Sequence, residues 1–206
     1  MLLEIHPKNP EPRKIKQVVD LLNDGAVLVC PTDTVYAFVC SAHHPRAIEA
    51  IAHLKGTKTR RTDLSLICKD LSQLSEYASV ISTPAFRTMK KALPGPYTFI
   101  VPASHEIPKL FKNNKRTVGI RVPDHPIPLA IVEELGHALV VTSVHDEDEV
   151  LEHTTDPELI EERIGHQVKL VIDGGICGME GSTVIDLTGG EPVVLREGKG
   201  SVDGLF

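Results

Sequence analysis

The segment that decides the fold is "AVLVCPTDTVYAFVC", residues 26–40, in which a short polar stretch separates two apolar runs. The first run, residues 26–30, predicts a buried strand, and the second, residues 35–40, predicts another. A proline at position 31 ends the first run, and Thr32, Asp33 and Thr34 follow it. A plain turn would need only glycine or asparagine here. The hydroxyls and the carboxylate therefore indicate either a turn capped by its own side chains or a loop that binds an anion.

Helical and strand patterns alternate along the rest of the chain. Helices are predicted in "RKIKQVVDLLNDG", "PRAIEAIAHLKG", "DLSQLSEYA", "STPAFRTMKKALPG", "HPIPLAIVEELG" and "DPELIEERI". Strands are predicted in "LSLIC", "YTFIVPA", "TVGIRVP", "ALVVTSV", "VKLVIDGG", "STVIDL" and "EPVVLREG". Because paired strands occur at both ends of the alternating region, the pattern predicts one α/β domain over residues 1–206, with its core at about 10–200. Its sheet is expected to be twisted and mixed, with parallel and antiparallel strands flanked by helices.

Composition excludes several classes of protein. The net charge is −6, which argues against a generally basic surface for nucleic acid, and aromatic residues are only 4% of the 206 residues. The four cysteines form no C-x-x-C pair, and the N-terminal segment does not resemble a signal peptide. No apolar stretch approaches the length of about 18 residues that spans a membrane. We therefore expect a cytoplasmic protein with no membrane partner.

Nucleotide-binding motifs are absent, yet hydroxyls and cations recur at strand ends. There is no P-loop and no G-x-G-x-x-G between a strand and a helix, and the glycine-rich "REGKGSVDG" has no helix after it. A phosphate would have to be held by side chains and turn amides. Ligands settle at strand ends in open α/β sheets, which makes these side chains candidates for an anion site. They are Thr32, Thr34, Lys55, Arg121, Thr142, Ser143, Ser182, Thr183 and Arg196.

Each of these residues also has a purely structural interpretation. Arg121 and Arg196 could be solvated side chains of edge strands, and Lys55 is favourable at a helix C-terminus through the helix dipole alone. Lys58, Arg60 and Arg61 lie in "TKTRR", which is either a solvated loop or a cluster that attracts anions without specifying one. No metal site is predicted, because adjacent histidines such as His43-His44 point to opposite sides of an extended segment.

Several segments, in order, resemble the YrdC/YciO-like family of L-threonylcarbamoyladenylate synthases over about residues 10–200. They are "PTDTVYAF", "HLKG", "LPGPYTFIV", "TVGIRVPDHPI", "LVVTSV", "DGG", "GSTVIDLT" and "PVVLREG". The segments "ICKDLSQLSEY" and "AFRTMKK" look closest to the YciO-like branch. The resemblance implies a YrdC-like fold and a reaction of ATP, as its Mg²⁺ complex, with L-threonine and bicarbonate. The products would be threonylcarbamoyl-AMP, which feeds tRNA modification, and pyrophosphate.

The resemblance also implies roles for particular residues. Lys55 and Arg121 would be catalytic, and tRNA or double-stranded RNA would be a further partner. The implied substrate and nucleotide contacts are Thr32, Thr34, Tyr36, Thr117, Ser143, Ser182, Thr183 and Arg196. A carbamate oxygen would attack the α-phosphate, so positioning and fixed positive charge would replace a covalent nucleophile.

Two motifs depart from the synthase pattern. The synthases have K-x-R where this chain has Lys55-Gly56-Thr57, and S-x-N where it has Ser143-Val144-His145. Loss of one preorganised donor at a reacting centre lowers turnover by about 10²–10³. Three hypotheses follow: an active synthase, a catalytically impaired relative that binds nucleotide or RNA, and an ordinary α/β domain whose hydroxyls serve turns alone.

Overall fold

The computed structural model describes residues 1–55, 64–107, 116–144 and 154–206. Helices in these ranges are α1 (Pro12–Asn23), α2 (Pro45–Leu54), α3 (Leu71–Tyr77), α4 (Thr83–Ala92), α5 (Pro126–Leu135) and α6 (Pro157–Ile164). The strands of the first half are β1 (Leu2–Glu4), β2 (Leu28–Cys30), β3 (Ala37–Ser41), β4 (Ser65–Ile67) and β5 (Tyr97–Pro102). Those of the second half are β6 (Thr117–Arg121), β7 (Leu139–Ser143), β8 (Leu170–Asp173), β9 (Thr183–Asp186) and β10 (Val193–Arg196).

These strands form one mixed sheet in the order β1-β8-β2-β3-β7-β4-β6-β5-β9-β10. The pairs β1–β8, β2–β8, β4–β6 and β5–β9 are parallel. The pairs β2–β3, β3–β7, β4–β7, β5–β6 and β9–β10 are antiparallel. The predicted mixed α/β fold is thereby confirmed.

Helices cover both faces of the sheet. Side chains of α2, α3, α4 and α6, including Ile48, Leu74 and Met89, pack on one face in a large aliphatic core. On the other face, α1 and α5 bring Val18 and Ile131 against a second apolar cluster. Burying each such side chain contributes about 1.5–3 kcal/mol, so the two layers hold the sheet firmly from both sides.

The helix boundaries follow local sequence signals. Asp70, Ser82 and Asp156 accept hydrogen bonds from the backbone at the starts of α3, α4 and α6. Gly136 ends α5 in the left-handed conformation, with φ 77°, as the sequence predicted. Within the described residues, no helix is both long and apolar enough to cross a membrane.

The layer of α1 and α5 covers only part of its face. In the described part of the chain, the strand residues of this apolar cluster come from β2, β3, β4, β7 and β8. Val118 and Ile120 of β6 pack into the opposite core, so Thr117, Gly119 and Arg121 point to the face of α1 and α5. The same alternation puts Thr98 of β5 on that face, because Phe99 points the other way. Beyond α1 and α5, this face of the sheet therefore presents polar side chains beside two apolar ones, Ile100 and Val184.

Candidate functional site

The loop between β2 and β3 is organised by its own threonines. The Thr32 hydroxyl donates to the carbonyl of Val35 at 2.6 Å and accepts from the amide of Thr34 at 3.2 Å. The two hydroxyl oxygens of Thr32 and Thr34 lie 3.0 Å apart. Because the single Thr32 proton goes to Val35, Thr34 must donate to Thr32. Thr32 therefore caps the turn, and Thr34 is held with its lone pairs free to accept other donors.

Arg121 reaches this loop from the end of β6. Its Nη2 donates to Oδ1 of Asp33 at 2.8 Å and to the hydroxyl of Thr34 at 3.0 Å. The other carboxylate oxygen of Asp33 accepts from the amide of Asp124 at 3.1 Å. The side chains of Arg121 and Asp33 are only 8% and 7% exposed. The interpretation of Arg121 as a solvated strand residue is therefore wrong, and Asp33 is a structural counter-ion that sequence reasoning did not single out.

One donor of Arg121 stays unused within the described residues. Its Nε is buried and has no hydrogen-bond partner there. Burial lowers the pKa of Arg121 from its ordinary value, and the Asp33 carboxylate opposes that shift. The guanidinium thus remains charged at neutral pH. A buried, charged donor without a partner is costly unless a ligand satisfies it, so Nε marks a position for an anionic oxygen.

A second cation and two hydroxyls lie at the adjoining end of β9. The Ser182 and Thr98 hydroxyls are 2.8 Å apart and both side chains are buried. Arg196 lies exposed on the edge strand β10, yet its Nη2 and Nε donate to the carbonyl of Ser182 at 2.9 and 3.3 Å. The positive charge of Arg196 also acts to lower the pKa of Arg121, after the larger effect of burial. The two guanidinium groups are therefore electrostatic neighbours.

Lys199 joins the two halves of this cluster. Its ammonium donates to the carbonyl of Asp33 at 2.5 Å, across 166 positions of sequence. Sequence reasoning noted "REGKGSVDG" as glycine-rich but did not select this lysine. With Arg121, Arg196 and Lys199 around one carboxylate, Asp33, these groups sum to about +2 in a chain whose net charge is −6. The cluster is suited to an anion.

Gly119, which has no side chain, leaves room on the sheet beside this cluster. A Cβ at this position would lie 2.6 Å from the Ser65 hydroxyl and 3.2 Å from a methyl carbon of Thr98. Ser65 pairs with Gly119 on one side and with Val141 on the other. Any side chain at position 119 would therefore displace hydroxyls that face the same way as Arg121.

Ser143 and Thr117 share this face and lie toward the start of β6, where Ser143 pairs with Ala37 directly after the β2–β3 loop. Ser143 follows Val141 by two residues, and Thr117 precedes Gly119 by two, so both lie beyond Ser65 in the same direction. Thr117 and Arg121 are four residues apart on one strand, which separates their backbones by about 13 Å. Thr117 and Arg121 are thus well separated, whereas Ser143 lies beside the loop that carries Thr34.

Two predicted contacts belong to the opposite face. Tyr36 is fully buried in the core under α2, α3 and α4, and its hydroxyl donates to the carbonyl of Gly175 at 2.8 Å. Thr183 lies two residues before the core residue Ile185 on β9, so both side chains point to the same face of the sheet. The Thr183 hydroxyl donates to the carbonyl of Gly200 at 2.6 Å. The prediction that Tyr36 and Thr183 contact substrate stays a prediction; in the structure each hydroxyl binds backbone close to the site.

The remaining predicted cations stay untested. Lys55 is the half-buried C-cap of α2, directly before residues 56–63. Lys58, Arg60 and Arg61 lie outside the described residues, as does His145 of the altered S-x-N motif.

The described residues offer no metal cluster of three or more histidine, cysteine or acidic side chains. His43 stacks on His137 with ring centroids 3.7 Å apart. Burial raises the pKa of Cys177 to about 11 and raises that of Cys30, Cys40 and Cys68 further. None of these thiols is a ready nucleophile at neutral pH. The chemistry available here is therefore electrostatic positioning of an anion.

Comparison with known proteins identifies relatives of similar sequence and fold. YciO of Escherichia coli, named an uncharacterized protein, is 42% identical over 96% of this chain and 95% of its own length. The crystal structure of E. coli YciO superposes with a TM-score of 0.92 at 40% identity, covering 100% of this chain and 99% of that one. A threonylcarbamoyl-AMP synthase of Vibrio vulnificus is 30% identical over 79% of this chain and 87% of its own.

A longer relative has been crystallised with an amino acid. Sua5 of P. abyssi, complexed with L-threonine, superposes with a TM-score of 0.86 at 28% identity, over 96% of this chain and 57% of that one. A family model for Sua5, YciO and YrdC, described as "Telomere recombination", matches residues 20–198. The family model and these relatives show that the chain belongs to the Sua5/YciO/YrdC family.

Proposed function

We propose that this protein is a threonylcarbamoyl-AMP synthase that uses ATP, L-threonine and bicarbonate. The observation that carries the proposal is the buried guanidinium of Arg121, charged, fixed by Asp33 and Thr34, with an unused Nε donor. Such a group is preorganised for a carboxylate or phosphoryl oxygen. Relatives named threonylcarbamoyl-AMP synthase at 26–32% identity support the choice of reaction.

The reaction needs no covalent bond to the protein. The amine of L-threonine takes up the carbon of bicarbonate, releasing water and forming a carbamate. A carbamate oxygen then bonds to the α-phosphorus of ATP while the bond from that phosphorus to pyrophosphate breaks. Negative charge on the phosphoryl oxygens grows during this step, and fixed cations lower its barrier.

The chain's own residues divide this work between two groups of donors. Arg121 and Thr34 would hold one anionic group, and Arg196 with Ser182 would position a second. Ser143 lies on the same face beside the loop that carries Thr34, where it would contact the same substrate. Mg²⁺ would arrive with ATP, since both oxygens of Asp33 are already occupied by Arg121 and the amide of Asp124.

The direct test is incubation of the purified protein with ATP, bicarbonate and radiolabelled L-threonine. We expect labelled threonylcarbamoyl-AMP and one pyrophosphate per adenylate. Omission of bicarbonate should abolish both products, and Arg121→Lys, which lacks the Nε donor but keeps the charge, should lower the rate by about 10²-fold. Pyrophosphate release that does not depend on threonine would contradict the proposal.

A second function is favoured by the two altered motifs, Lys55-Gly56-Thr57 and Ser143-Val144-His145. In that alternative the protein binds nucleotide, tRNA or double-stranded RNA without turnover, with Lys58, Arg60 and Arg61 as phosphate contacts. ATP binding without adenylate formation would favour it. Phosphate contacts by these three cations would make RNA affinity fall with salt and on their replacement by alanine. If RNA affinity changes in neither case, the proposed RNA binding is excluded.

The four cysteines are free, which supports the proposed setting in a reducing cytoplasm.

A further inference from the structure

The segment Gly198-Lys199-Gly200 is held against the sheet from both sides. The amide of Gly198 donates to the Thr183 hydroxyl at 3.0 Å, and that hydroxyl donates to the carbonyl of Gly200 at 2.6 Å. Between them, the amide of Lys199 donates to the carbonyl of Gly181 at 2.9 Å. Three consecutive backbone positions are thus fixed to the strand that begins at Thr183.

Close packing explains the two glycines. A Cβ on Gly198 would lie 2.3 Å from the carbonyl oxygen of Gly181, and one on Gly200 would lie 2.5 Å from the ring of Tyr97. The Tyr97 hydroxyl in turn donates to the carbonyl of Ser201 at 2.8 Å. Only glycine permits this approach on either side, so the backbone that carries Lys199 is rigid.

The side chain of Lys199 leaves this rigid backbone toward the candidate site. It is exposed, and its one described hydrogen bond goes to the carbonyl of Asp33. A carbonyl is a neutral acceptor, so that bond leaves the positive charge of the ammonium uncompensated. An ammonium carries three donors, of which this bond uses one. The charge and two donors are available to a ligand that enters beside Thr32 and Thr34.

We propose that Lys199 is a phosphate-binding residue of this site, presented by the rigid Gly198-Lys199-Gly200 backbone to the oxygens of a polyphosphate. The inference rests on the proposed use of ATP and adds a specific contact to it. Arg121 provides a buried cation at the carboxylate of Asp33, and Lys199 an exposed one at its backbone carbonyl. The exposed cation suits the phosphates that leave as pyrophosphate, since a solvated contact is easily broken on release.

Binding measurements separate this role from simple anchoring of the loop. Isothermal titration with ATP and with pyrophosphate would be run on wild type, Lys199→Met, Lys199→Arg and the control Lys169→Met, which alters an exposed lysine before β8. Lys199→Met should weaken both ligands by about 10-fold, the effect of one charge-assisted hydrogen bond. Lys199→Arg should retain most of the affinity, and Lys169→Met all of it. Adenosine and L-threonine, followed by saturation-transfer NMR, should bind Lys199→Met as they bind wild type.

Two results would overturn the inference. Equal ATP affinity of wild type and Lys199→Met would exclude a phosphate contact while leaving the proposed function intact. Equal loss of ATP and adenosine affinity, with no recovery in Lys199→Arg, would show that Lys199 only anchors the loop at Asp33. Wild-type protein that binds neither ATP nor pyrophosphate would refute the proposed function itself and this inference with it.

Discussion

Replacing Arg121 with methionine tests the central ion pair of the site. Arg121 and Asp33 are joined at 2.8 Å, with side chains 8% and 7% exposed. The methionine variant would leave the carboxylate of Asp33 buried without its counter-ion, and removal of one partner from a buried pair costs about 3–5 kcal/mol. The free energy of unfolding of Arg121→Met should therefore fall by about that amount, as measured by urea denaturation at pH 7.

The double variant shows whether the loss comes from the stranded charge. Asp33→Asn in the Arg121→Met background removes that charge and keeps an acceptor for the amide of Asp124, so it should recover most of the lost stability. Arg121→Lys keeps the charge and should remain within about 2 kcal/mol of wild type while losing the Nε donor. If Arg121→Met cost less than about 1 kcal/mol, the usual value for an exposed pair, or if Asp33→Asn gave no recovery, the reasoning about this site would be refuted.

Three further predictions concern the surroundings of the site. Gly119→Ala should destabilise the fold by about 1–3 kcal/mol in urea denaturation, because its Cβ would lie 2.6 Å from the Ser65 hydroxyl, and Ser65→Ala should recover part of the loss. Tyr36→Phe should lower stability by about 1–3 kcal/mol through its two lost hydrogen bonds yet keep ATP and threonine affinity; a selective loss of affinity would contradict its placement in the core. Burial and the neighbouring His43 lower the pKa of His137 from 6.5 to about 4. The contribution of neutral His137 to the free energy of unfolding is therefore complete above pH 6.5 and is lost as the pH falls toward 4. After discounting for its partial exposure this contribution is about 1–2 kcal/mol, and His137→Gln, but not the exposed His166→Gln, should flatten the acid side of the stability profile.

Much of the fold could be predicted because the local signals agree with the packing. The capping residues Asp70, Ser82 and Asp156 begin helices where the sequence placed them, and the turn between β9 and β10 lies where glycines interrupt the strand pattern. Strand β1 was not predicted. Its three residues, Leu2–Glu4, are too few to show alternation, and they form a strand only because β8, some 170 positions later, provides a partner.

The site was predicted in part, for reasons that lie in strand geometry. Residue type and position at strand ends identified Thr34, Arg121 and Ser182, which the structure brings to one region. They could not show that Tyr36 and Thr183 point to the opposite face, because that depends on where each strand begins. The partnership of Asp33 with Arg121 and the contact of Lys199 with Asp33 join residues 88 and 166 positions apart, which no local pattern reports.

The tie between Lys199 and the Asp33 loop has a consequence for synthesis on the ribosome. A nascent chain that has emerged only through β7 already contains Thr34 and Arg121 but lacks Ser182, Arg196 and Lys199. It also lacks β8, the strand that holds β1 and β2 in the sheet, so its amino-terminal strands have no parallel neighbour. The candidate anion site is therefore incomplete until nearly the whole polypeptide has been made, because Ser182, Arg196 and Lys199 are the last of its residues to be translated.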